Sequence, residues 1–339
     1  METGGVTHHP RKVLITGGAG FIGANFVAHL LDRDPDVFVV NLDLMTYAAD
    51  PAILPRFDAT GRHLFVHGDV CDAGLVCRLL REHEIDTIVH FAAETHVDRS
   101  ITGPGDFVRT NVDGTFTLLE AARQAWLAGP GPAAGKRFHH ISTDEVYGSL
   151  GPGDPPFTEA SPYAPNSPYS ASKAAADHLV RAYHRTYGLP VVTTHCSNNY
   201  GPYQHDEKFI PTIIRNCLAG TPIPVFGTGG NSRDWLYVDD HCRGIERVLR
   251  AGRTGETYNI GGGCELRNID VAEHLCALMD EYHPEGAPHR RLIQFVADRP
   301  GHDWRYAIDA AKMRDELGWE PQERFDEAIR KTVRWYLSR

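Results

Sequence analysis

Residues 12–23 read KVLITGGAGFIG, a short apolar run that ends in a cluster of glycines. The run 12–16 predicts a buried strand, and the helical periodicity of residues 21–31 predicts a helix directly after it. The turn between these two elements contains Gly17, Gly20 and Gly23. Glycine allows a tight turn and a close backbone approach to a pyrophosphate, which the free N–H groups at the helix N-terminus then bind. The stretch therefore predicts a dinucleotide-binding turn, although the same glycines would also suit a turn without a ligand.

An acidic residue follows at the spacing that this turn requires. Asp43 comes directly after a second predicted strand, residues 37–42, about twenty residues beyond the glycines. A carboxylate there accepts hydrogen bonds from the adenosine ribose hydroxyls and repels a 2′-phosphate, so NAD is favoured over NADP. Asp69 and Val70 follow the third predicted strand, residues 63–66, where they would contact the adenine.

Strands and helices alternate up to residue 195. Further strands are predicted at 87–91, 138–142 and 191–195, and helices at 75–83, 111–127 and 170–187. This alternation predicts an α/β fold with a Rossmann-type, doubly wound parallel sheet. Beyond about residue 200 the alternation weakens: 222–230 and 261–263 are loop-rich on composition, and 272–281 and 310–317 have a helical pattern. We predict a polar N-terminal tail (1–11), an NAD-binding Rossmann domain (12–195) and a smaller, mixed, mainly substrate-binding part (196–339), partly interleaved with the first.

Composition and charge disfavour several classes of protein. The 339 residues carry a net charge of −10 with His neutral, which argues against a nucleic-acid partner. No run approaches the roughly 18 apolar residues of a membrane span, and residues 1–11 lack the apolar core of a signal peptide. The seven scattered Cys form no Cys-x-x-Cys pair, which favours a reducing cytoplasm. Two His pairs, at 8–9 and 139–140, lack ligand partners at suitable spacing, so no metal site is predicted.

A tyrosine and a lysine open the predicted helix at 170–187. Tyr169 and Lys173 are four residues apart and therefore lie on one helical face. An ammonium beside a phenol lowers the pKa of the phenol toward the working pH, which would make Tyr169 a general base. Taken alone, the pair fits an ordinary amphipathic helix better.

The segment Ser142-Thr143-Asp144-Glu145 changes that balance. It follows the strand at 138–142, and parallel sheets bind ligands at the carboxyl ends of their strands. Two adjacent acids are more often a solvated turn or a helix cap. Beside a hydroxyl, a phenol and a nicotinamide they can supply one acid and one base, if their surroundings push the two pKa values apart.

These stretches resemble the extended short-chain dehydrogenases/reductases and, more narrowly, the dTDP-glucose 4,6-dehydratases. The matching residues are 16–23, 91–100 (FAAETHVDRS), 141–148 (ISTDEVYG), 163–173 (YAPNSPYSASK), 196–203 (CSNNYGPY), 233–238 (RDWLYV), 256–262 (ETYNIGG) and 296–309 (VADRPGHDWRYAID). They cover nearly the whole chain. The Thr-Asp-Glu triplet discriminates best, because the related epimerases usually carry small hydroxyl residues there.

The resemblance implies an enzyme that removes water from a nucleotide-activated hexose, converting dTDP-glucose to dTDP-4-keto-6-deoxyglucose. Tyr169, as a phenolate, would take the proton of the sugar 4-hydroxyl while a hydride leaves C4 for NAD, with Thr143 and Lys173 assisting. Glu145 would then remove the C5 proton, and Asp144 would protonate the departing 6-hydroxyl. The hydride returns to C6, so NAD is implied to be a tightly bound cofactor that is regenerated in each turnover.

The resemblance also implies residues that bind each ligand. Those expected at NAD are Gly17, Gly20, Phe21, Ile22, Gly23, Asp43, Leu44, Thr46, Asp69, Val70, Phe91, Ala92, Ala93, Thr95, Thr110, Tyr169, Lys173 and Asn199. Those expected at the substrate are Thr95, Thr143, Asn198, Lys208, Phe209, Val225, Phe226, Arg233, Asn268, Arg299 and His302. A homodimer is implied as well, with helices near 108–127 and 170–187 of both copies forming a four-helix interface.

Two alternatives stay open at this point. A nucleotide-sugar 4-epimerase would need Tyr169 and Lys173 but no acid and base for elimination, so Asp144 and Glu145 argue against it. The second alternative is a 4,6-dehydratase that acts on a UDP- or CDP-hexose. Residues 204–206 (QHD) depart from the family pattern near the expected nucleotide site, which leaves the nucleobase preference open.

Overall fold

A central parallel sheet organises the part of the chain that the computed structural model describes, which is residues 7–128, 133–298 and 300–339. The strands there are β1 (Lys12–Thr16), β2 (Phe38–Asp43), β3 (His63–His67), β4 (Thr87–His90), β5 (Arg137–Thr143), β6 (Val191–Cys196), β7 (Asn198–Tyr200), β8 (Ile223–Phe226), β9 (Ser232–Tyr237), β10 (Thr257–Ile260), β11 (Glu265–Arg267) and β12 (Ile293–Val296). Seven of them form this sheet in the order β10-β6-β5-β4-β1-β2-β3, and every neighbouring pair is parallel. The strand order reverses between β1 and β4, and such a reversal opens a crevice at the carboxyl ends of the strands.

Helices cover both faces of this sheet. They are α1 (Phe21–Arg33), α2 (Leu54–Asp58), α3 (Ala73–Glu82), α4 (Val97–Thr102), α5 (Pro104–Phe107), α6 (Gly114–Trp126), α7 (Pro168–Tyr187), α8 (Phe209–Ala219), α9 (Val238–Ala251), α10 (Asn268–Tyr282), α11 (Ala311–Leu317) and α12 (Phe325–Leu337). Successive side chains of a strand point to opposite faces. Accordingly, Val13 and Ile15 of β1 pack in the core with α1 and α9, whereas Leu14 packs in a second core with α3, α6 and α7.

A smaller unit follows the central sheet in sequence. Strands β11, β9 and β7 form a mixed three-stranded sheet, and β12 pairs with β8 in parallel. Their core is a third cluster of buried residues, to which α8, α10 and α12 contribute Ile213, Leu275 and Ile329. The prediction of a Rossmann-type α/β fold with a smaller mixed part is confirmed.

Three local predictions need correction. Strand β8 lies inside the segment 222–230 that its Pro and Gly content marks as a loop. Strand β10 comes late in the chain yet pairs with β6 at the edge of the central sheet. The helix expected to start at residue 111 begins earlier, as a wider π-helical turn at Val108–Asp113, and becomes α-helical only at Gly114. The domain boundary at residues 195 and 196 stays a prediction. None of the helices described is both long and apolar enough to cross a bilayer.

Candidate active site

The glycine turn between β1 and α1 is shaped by contacts that leave no room for side chains. Gly17 has a φ of +72°, and a Cβ there would come within 2.7 Å of the Ala92 nitrogen. A Cβ on Gly23 would approach the carbonyl oxygen of Gly17 to 2.2 Å. Gly20 caps α1 and carries no side chain that could occupy the first N–H groups of the helix. The turn therefore offers free backbone donors and a positive helix end to an anion.

Two carboxylates follow at the ends of the neighbouring strands. Asp43, at the end of β2, accepts hydrogen bonds from the backbone nitrogens of Ala19 and Met45, at 2.9 and 2.8 Å. These two bonds fix the carboxylate beside the glycine turn while leaving lone pairs for further donors. Asp69, after β3, is paired at 2.6 Å with the guanidinium of Arg109.

One cleft joins the two predicted halves of the site. It is lined by every residue predicted to bind NAD, by the triplet Thr143 to Glu145, and by Thr95, Asn198 and Lys208 of the predicted substrate set. The cleft thus runs from the glycine turn, across the carboxyl ends of the central strands, to the start of α7 and of α8. The structure brings these residues together, and their roles stay predictions.

The triplet lies at the carboxyl end of β5. Thr143 is the last residue of the strand, and its hydroxyl accepts a hydrogen bond of 3.3 Å from the backbone nitrogen of Glu145. Asp144 is buried, and its Oδ2 has no hydrogen-bond partner among the described residues. Burial, followed by the charge of Glu145, raises the pKa of Asp144 well above its ordinary value. Burial therefore favours the protonated form of Asp144, which lies beside the half-buried Glu145.

Tyr169 and Lys173 lie on the face of α7 that closes the cleft, and both are buried. Burial and then the Glu145 charge raise the pKa of Tyr169 well above its ordinary value, while a hydrogen bond with Thr143 opposes the shift. The ammonium of Lys173 donates to the carbonyl oxygen of Ile141 at 2.8 Å. We expected a lowered pKa for Tyr169. Among the protein groups alone, burial and the carboxyl of Glu145 raise this pKa instead.

The other described residues of the predicted substrate set do not line the cleft. Phe226, at the end of β8, packs edge-on against the ring of His302 at 6.1 Å between centroids. Val225 is almost fully buried, so its side chain serves the core. Phe209 stacks on Trp235 at 6.4 Å. Asn268 begins α10. Arg299 lies outside the described residues.

Arg233 is placed differently from a surface phosphate ligand. Its guanidinium is buried, donates to the carbonyl oxygens of Ser232, Asp303 and Trp304, and lies 4.4 Å over the ring of Tyr306. The positive charge of Arg233 acts on Asp144 of the triplet: it lowers the pKa of this carboxyl and so opposes the rise caused by burial.

Sequence reasoning assigned no ligand contact to several residues that line the cleft: Ser142, Cys196, Ser197, Gln204, His205 and Glu207. Ser142 and Cys196 end β5 and β6, so the rule that ligands bind at strand carboxyl ends could have found them. The segment 204–208 reaches the cleft only through tertiary contacts, such as the 3.0 Å bond from the Lys208 ammonium to the carbonyl oxygen of Thr95.

Fold and site together define the class: a nucleotide-binding α/β protein of the Rossmann type, with a Tyr–Lys pair and two carboxyls at the mouth of its sheet. The family model described as GDP-mannose 4,6 dehydratase matches residues 14–332, and the chain belongs to this family. The resemblance inferred from the sequence motifs is thereby confirmed.

Individual relatives are close. The chain is 57% identical over 328 residues to a dTDP-glucose 4,6-dehydratase of Xanthomonas campestris pv. campestris strain B100, covering 96% of this chain and 93% of that protein. Its fold is similar to that of DesIV, a dTDP-glucose 4,6-dehydratase from Streptomyces venezuelae solved with NAD bound, with a TM-score of 0.88, 50% identity and coverage of 96% and 97%. A dTDP-glucose 4,6-dehydratase from Bacillus anthracis, also in complex with NAD, matches with a TM-score of 0.85, 43% identity and 96% coverage of both chains.

Proposed function

We propose that this protein is an NAD-dependent lyase that converts dTDP-glucose to dTDP-4-keto-6-deoxyglucose and water. The observation that carries the proposal is the pairing of a buried Asp144, whose pKa is raised, with Glu145 in the same cleft as Tyr169. Elimination of water needs an acid for the leaving hydroxyl and a base for the neighbouring carbon, and two adjacent carboxyls in unequal surroundings supply both. The relatives named above share this activity by name.

The cleft fits NAD. Gly17 and Gly23 let the turn pack closely against the neighbouring backbone, and Gly20, where a Cβ would meet only the Gly17 oxygen within 4 Å, leaves the start of α1 open for a pyrophosphate. The Asp43 carboxylate would accept bonds from the adenosine ribose, and its charge disfavours a 2′-phosphate. When bound, NAD would accept a hydride from C4 of the sugar and return it to C6, so it ends each turnover as it began.

The chain's own residues would carry the proton transfers. Tyr169 would accept the proton of the sugar 4-hydroxyl, helped by the Thr143 hydroxyl and by the positive charge of Lys173 nearby. The resulting 4-ketone acidifies the C5–H bond, and Glu145 would take that proton. Asp144, whose protonated form burial favours, would give its proton to the 6-hydroxyl as the C6–O bond breaks and water leaves.

The rest of the predicted substrate set would hold the nucleotide. Lys208 lies directly before α8 at the edge of the cleft and would bind a phosphate oxygen. Phe226 and His302 would offer an aromatic surface for the base. Arg233 donates three hydrogen bonds to backbone carbonyls and would also act on the phosphates by its charge. Because residues 204–206 depart from the family pattern, UDP-glucose and CDP-glucose are the competing substrates whose turnover should be measured beside that of dTDP-glucose.

A 4-epimerase is the alternative on the same scaffold. It would use Tyr169 and Lys173 in the same way but would need no acid–base pair at C5 and C6. Asp144 and Glu145 would then be two carboxyls held close together at an energetic cost and without a use, so the dehydratase is favoured.

Assembly and location complete the proposal. The π-turn, α6 and α7 expose Val108, Phe116 and Tyr187, which are each about half exposed, and this surface would pair two copies through four helices. All seven Cys have free thiols, which supports a reducing cytoplasm.

Product analysis tests the proposal. Purified protein is incubated with dTDP-glucose, UDP-glucose and CDP-glucose in parallel, and the products are separated by mass. We expect loss of one water, fastest with dTDP-glucose. Recovery of only an isomer of unchanged mass would establish the epimerase instead.

A further inference from the structure

Lys173 is an ammonium held in the protein interior. It is 5% exposed, and its hydrogen bond to Ile141 goes to a neutral carbonyl oxygen. Burial lowers the pKa of Lys173, and Asp177 is the largest influence that raises it again. A buried cation without a compensating anion loses its proton easily, so the charge of Lys173 depends on its surroundings.

Asp177 lies one helical turn beyond Lys173 on α7 and is also 5% exposed. Its Oδ2 accepts hydrogen bonds from Nε2 of His195 at 2.9 Å and from the hydroxyl of Tyr163 at 3.0 Å. Its Oδ1 lies 3.1 Å from Nε2 of His140, the residue before Ile141. Three groups from two strands and a loop therefore converge on one buried carboxylate, and we call these four residues the Asp177 cluster.

The cluster is anchored on its outer side as well. The hydroxyl of Tyr147 lies 2.8 Å from Nδ1 of His195 and donates to Oδ1 of Asn259 at 2.9 Å. The amide nitrogen of Asn259 donates to the carbonyl oxygen of Phe157, which fixes the orientation of the amide. Asn259 of β10 thus helps to hold Tyr147 and His195, and through them the Asp177 carboxylate in the middle of α7.

The cluster keeps Asp177 ionised. Burial alone would raise the pKa of Asp177, but the charge and hydrogen bond of His195, together with the His140 ring 3.1 Å away, outweigh it and lower the pKa well below its ordinary value. The pKa values of the other acidic groups near Lys173 shift the other way. Burial raises the pKa of the Cys196 thiol and of Asp144. The negative charge that balances Lys173 in the interior therefore comes from Asp177.

We propose that Asp177 is a positioning residue for the reaction: without lining the cleft, it holds the buried Lys173 in its charged form from one helical turn away on α7. This inference rests on the proposed function, because Lys173 needs its charge to hold the nicotinamide ribose and to assist Tyr169. Asp177 touches neither ligand site, since it is not among the residues that line the cleft. The carbonyl oxygen of Ile141 fixes the ammonium, and the Asp177 carboxylate acts on it by charge from one helical turn away.

The titratable groups around this pair come from several elements: His90 (β4), His140 (β5), Asp144, Glu145 and Tyr147 (after β5), Tyr163 (before α7), Tyr169 (α7), and His195 and Cys196 (β6). Of these, His90 and His140 have a lowered pKa, first because of burial, with the Lys173 charge contributing. Both are therefore neutral at working pH and do not compete with Asp177 for Lys173.

The test measures NAD affinity and kcat/KM from neutral to alkaline pH for the full chain and for Asp177→Asn. Removal of the carboxylate should lower the pKa of Lys173 further. The alkaline loss of NAD affinity, and with it of kcat/KM, should then move about one pH unit or more to lower pH. Asp177→Glu keeps the charge and should move the loss back toward the wild-type position.

Asp280→Asn is the matched control. Asp280 also bonds a histidine, His289 at 2.6 Å, but lies on α10 away from the cleft. A purely structural role for Asp177 would lower thermal stability in both Asn variants and leave both pH profiles unmoved. An unmoved pH profile in folded Asp177→Asn would overturn the proposal. If the wild type binds NAD but forms no dehydrated product, the proposed function fails, while the NAD-affinity profiles still test Asp177.

A double variant covers the case in which Asp177→Asn does not fold. Removing one of two buried charges that compensate each other leaves the other uncompensated, whereas removing both is far less costly. Asp177→Asn combined with Lys173→Met should therefore yield more folded protein, with a higher Tm, than Asp177→Asn alone. No recovery in the double variant would contradict the coupling.

Discussion

At the scale of single residues, the site depends on two neighbouring acids that the fold treats differently. Asp144 is buried, with one oxygen that has no hydrogen-bond partner among the described residues, and Glu145 is half-buried beside it. Burial and the adjacent charge of Glu145 both raise the pKa of Asp144 and favour its protonated form. In the proposed mechanism this asymmetry makes Asp144 the acid and Glu145 the base.

The first prediction concerns Glu145→Gln. The amide cannot remove the C5 proton, but the oxidation at C4 needs only Tyr169, Thr143 and Lys173. We expect overall turnover to fall by about 10²- to 10⁴-fold, while reduced nicotinamide accumulates and is followed by its near-ultraviolet absorbance. Normal dehydration by this variant would show that Glu145 is not the base.

The second prediction concerns Asp144→Asn and combines activity with stability. Because the folded pKa of Asp144 is raised, its proton stabilises the fold at low pH, and that contribution is lost as pH rises toward the folded pKa. The wild type should therefore lose about 1.4 kcal/mol per pH unit relative to the Asn variant, from about pH 4 upward.

Thermal unfolding at several pH values checks this second prediction. Asp144→Asn should be more stable than the wild type at neutral pH and should lose most of its dehydratase activity. An unchanged difference in Tm across the pH range would mean that Asp144 is ionised in the folded protein.

Sequence reasoning reached part of this residue-scale account. Asp144 and Glu145 stand out because they follow a strand directly, and the family resemblance gives them roles. Asp177 and His195 carry no comparable local signal, since their contact depends on the packing of α7 against β6. The raised pKa of Tyr169 likewise depends on burial, which a Tyr-x-x-x-Lys pattern does not encode.

At the scale of elements, the glycine turn is the most constrained part of the cleft. The third prediction is that Gly23→Ala destabilises the protein by about 1–3 kcal/mol and weakens NAD binding, because the new Cβ meets the carbonyl oxygen of Gly17. Gly105→Ala is the control, since a Cβ there has open space around it. Calorimetric titration with NAD and thermal unfolding measure both effects. Equal NAD affinity in the two variants would contradict this role of the turn.

Prediction from sequence worked best for elements with strong local patterns. Strands β1 to β6 are apolar runs followed by helical segments, and their positions agree to within a residue or two. Strand β8 was missed because Pro224 and the following glycines resemble a loop. Strand β10 has only four residues, and its place beside β6 is decided by tertiary packing.

At the scale of the whole molecule, the apolar surface over α6 and α7 supports a dimer. The fourth prediction is that Phe116→Glu shifts the protein to a monomer in size-exclusion chromatography with light scattering, because the charge would be buried between two copies. Leu218→Glu, an exposed apolar residue on α8, is the matched control and should leave the mass unchanged. A monomeric wild type, or a dimeric Phe116→Glu, would place any interface elsewhere.

The central claim is that one cleft oxidises C4, eliminates water across C5 and C6, and returns the same hydride to C6. The fifth prediction tests it with dTDP-glucose carrying deuterium at C4, with the product examined by mass and by NMR. We predict a product that has lost one water and carries the deuterium at C6. Deuterium that remains at C4 in a product of unchanged mass, or that is lost to solvent, would contradict the account.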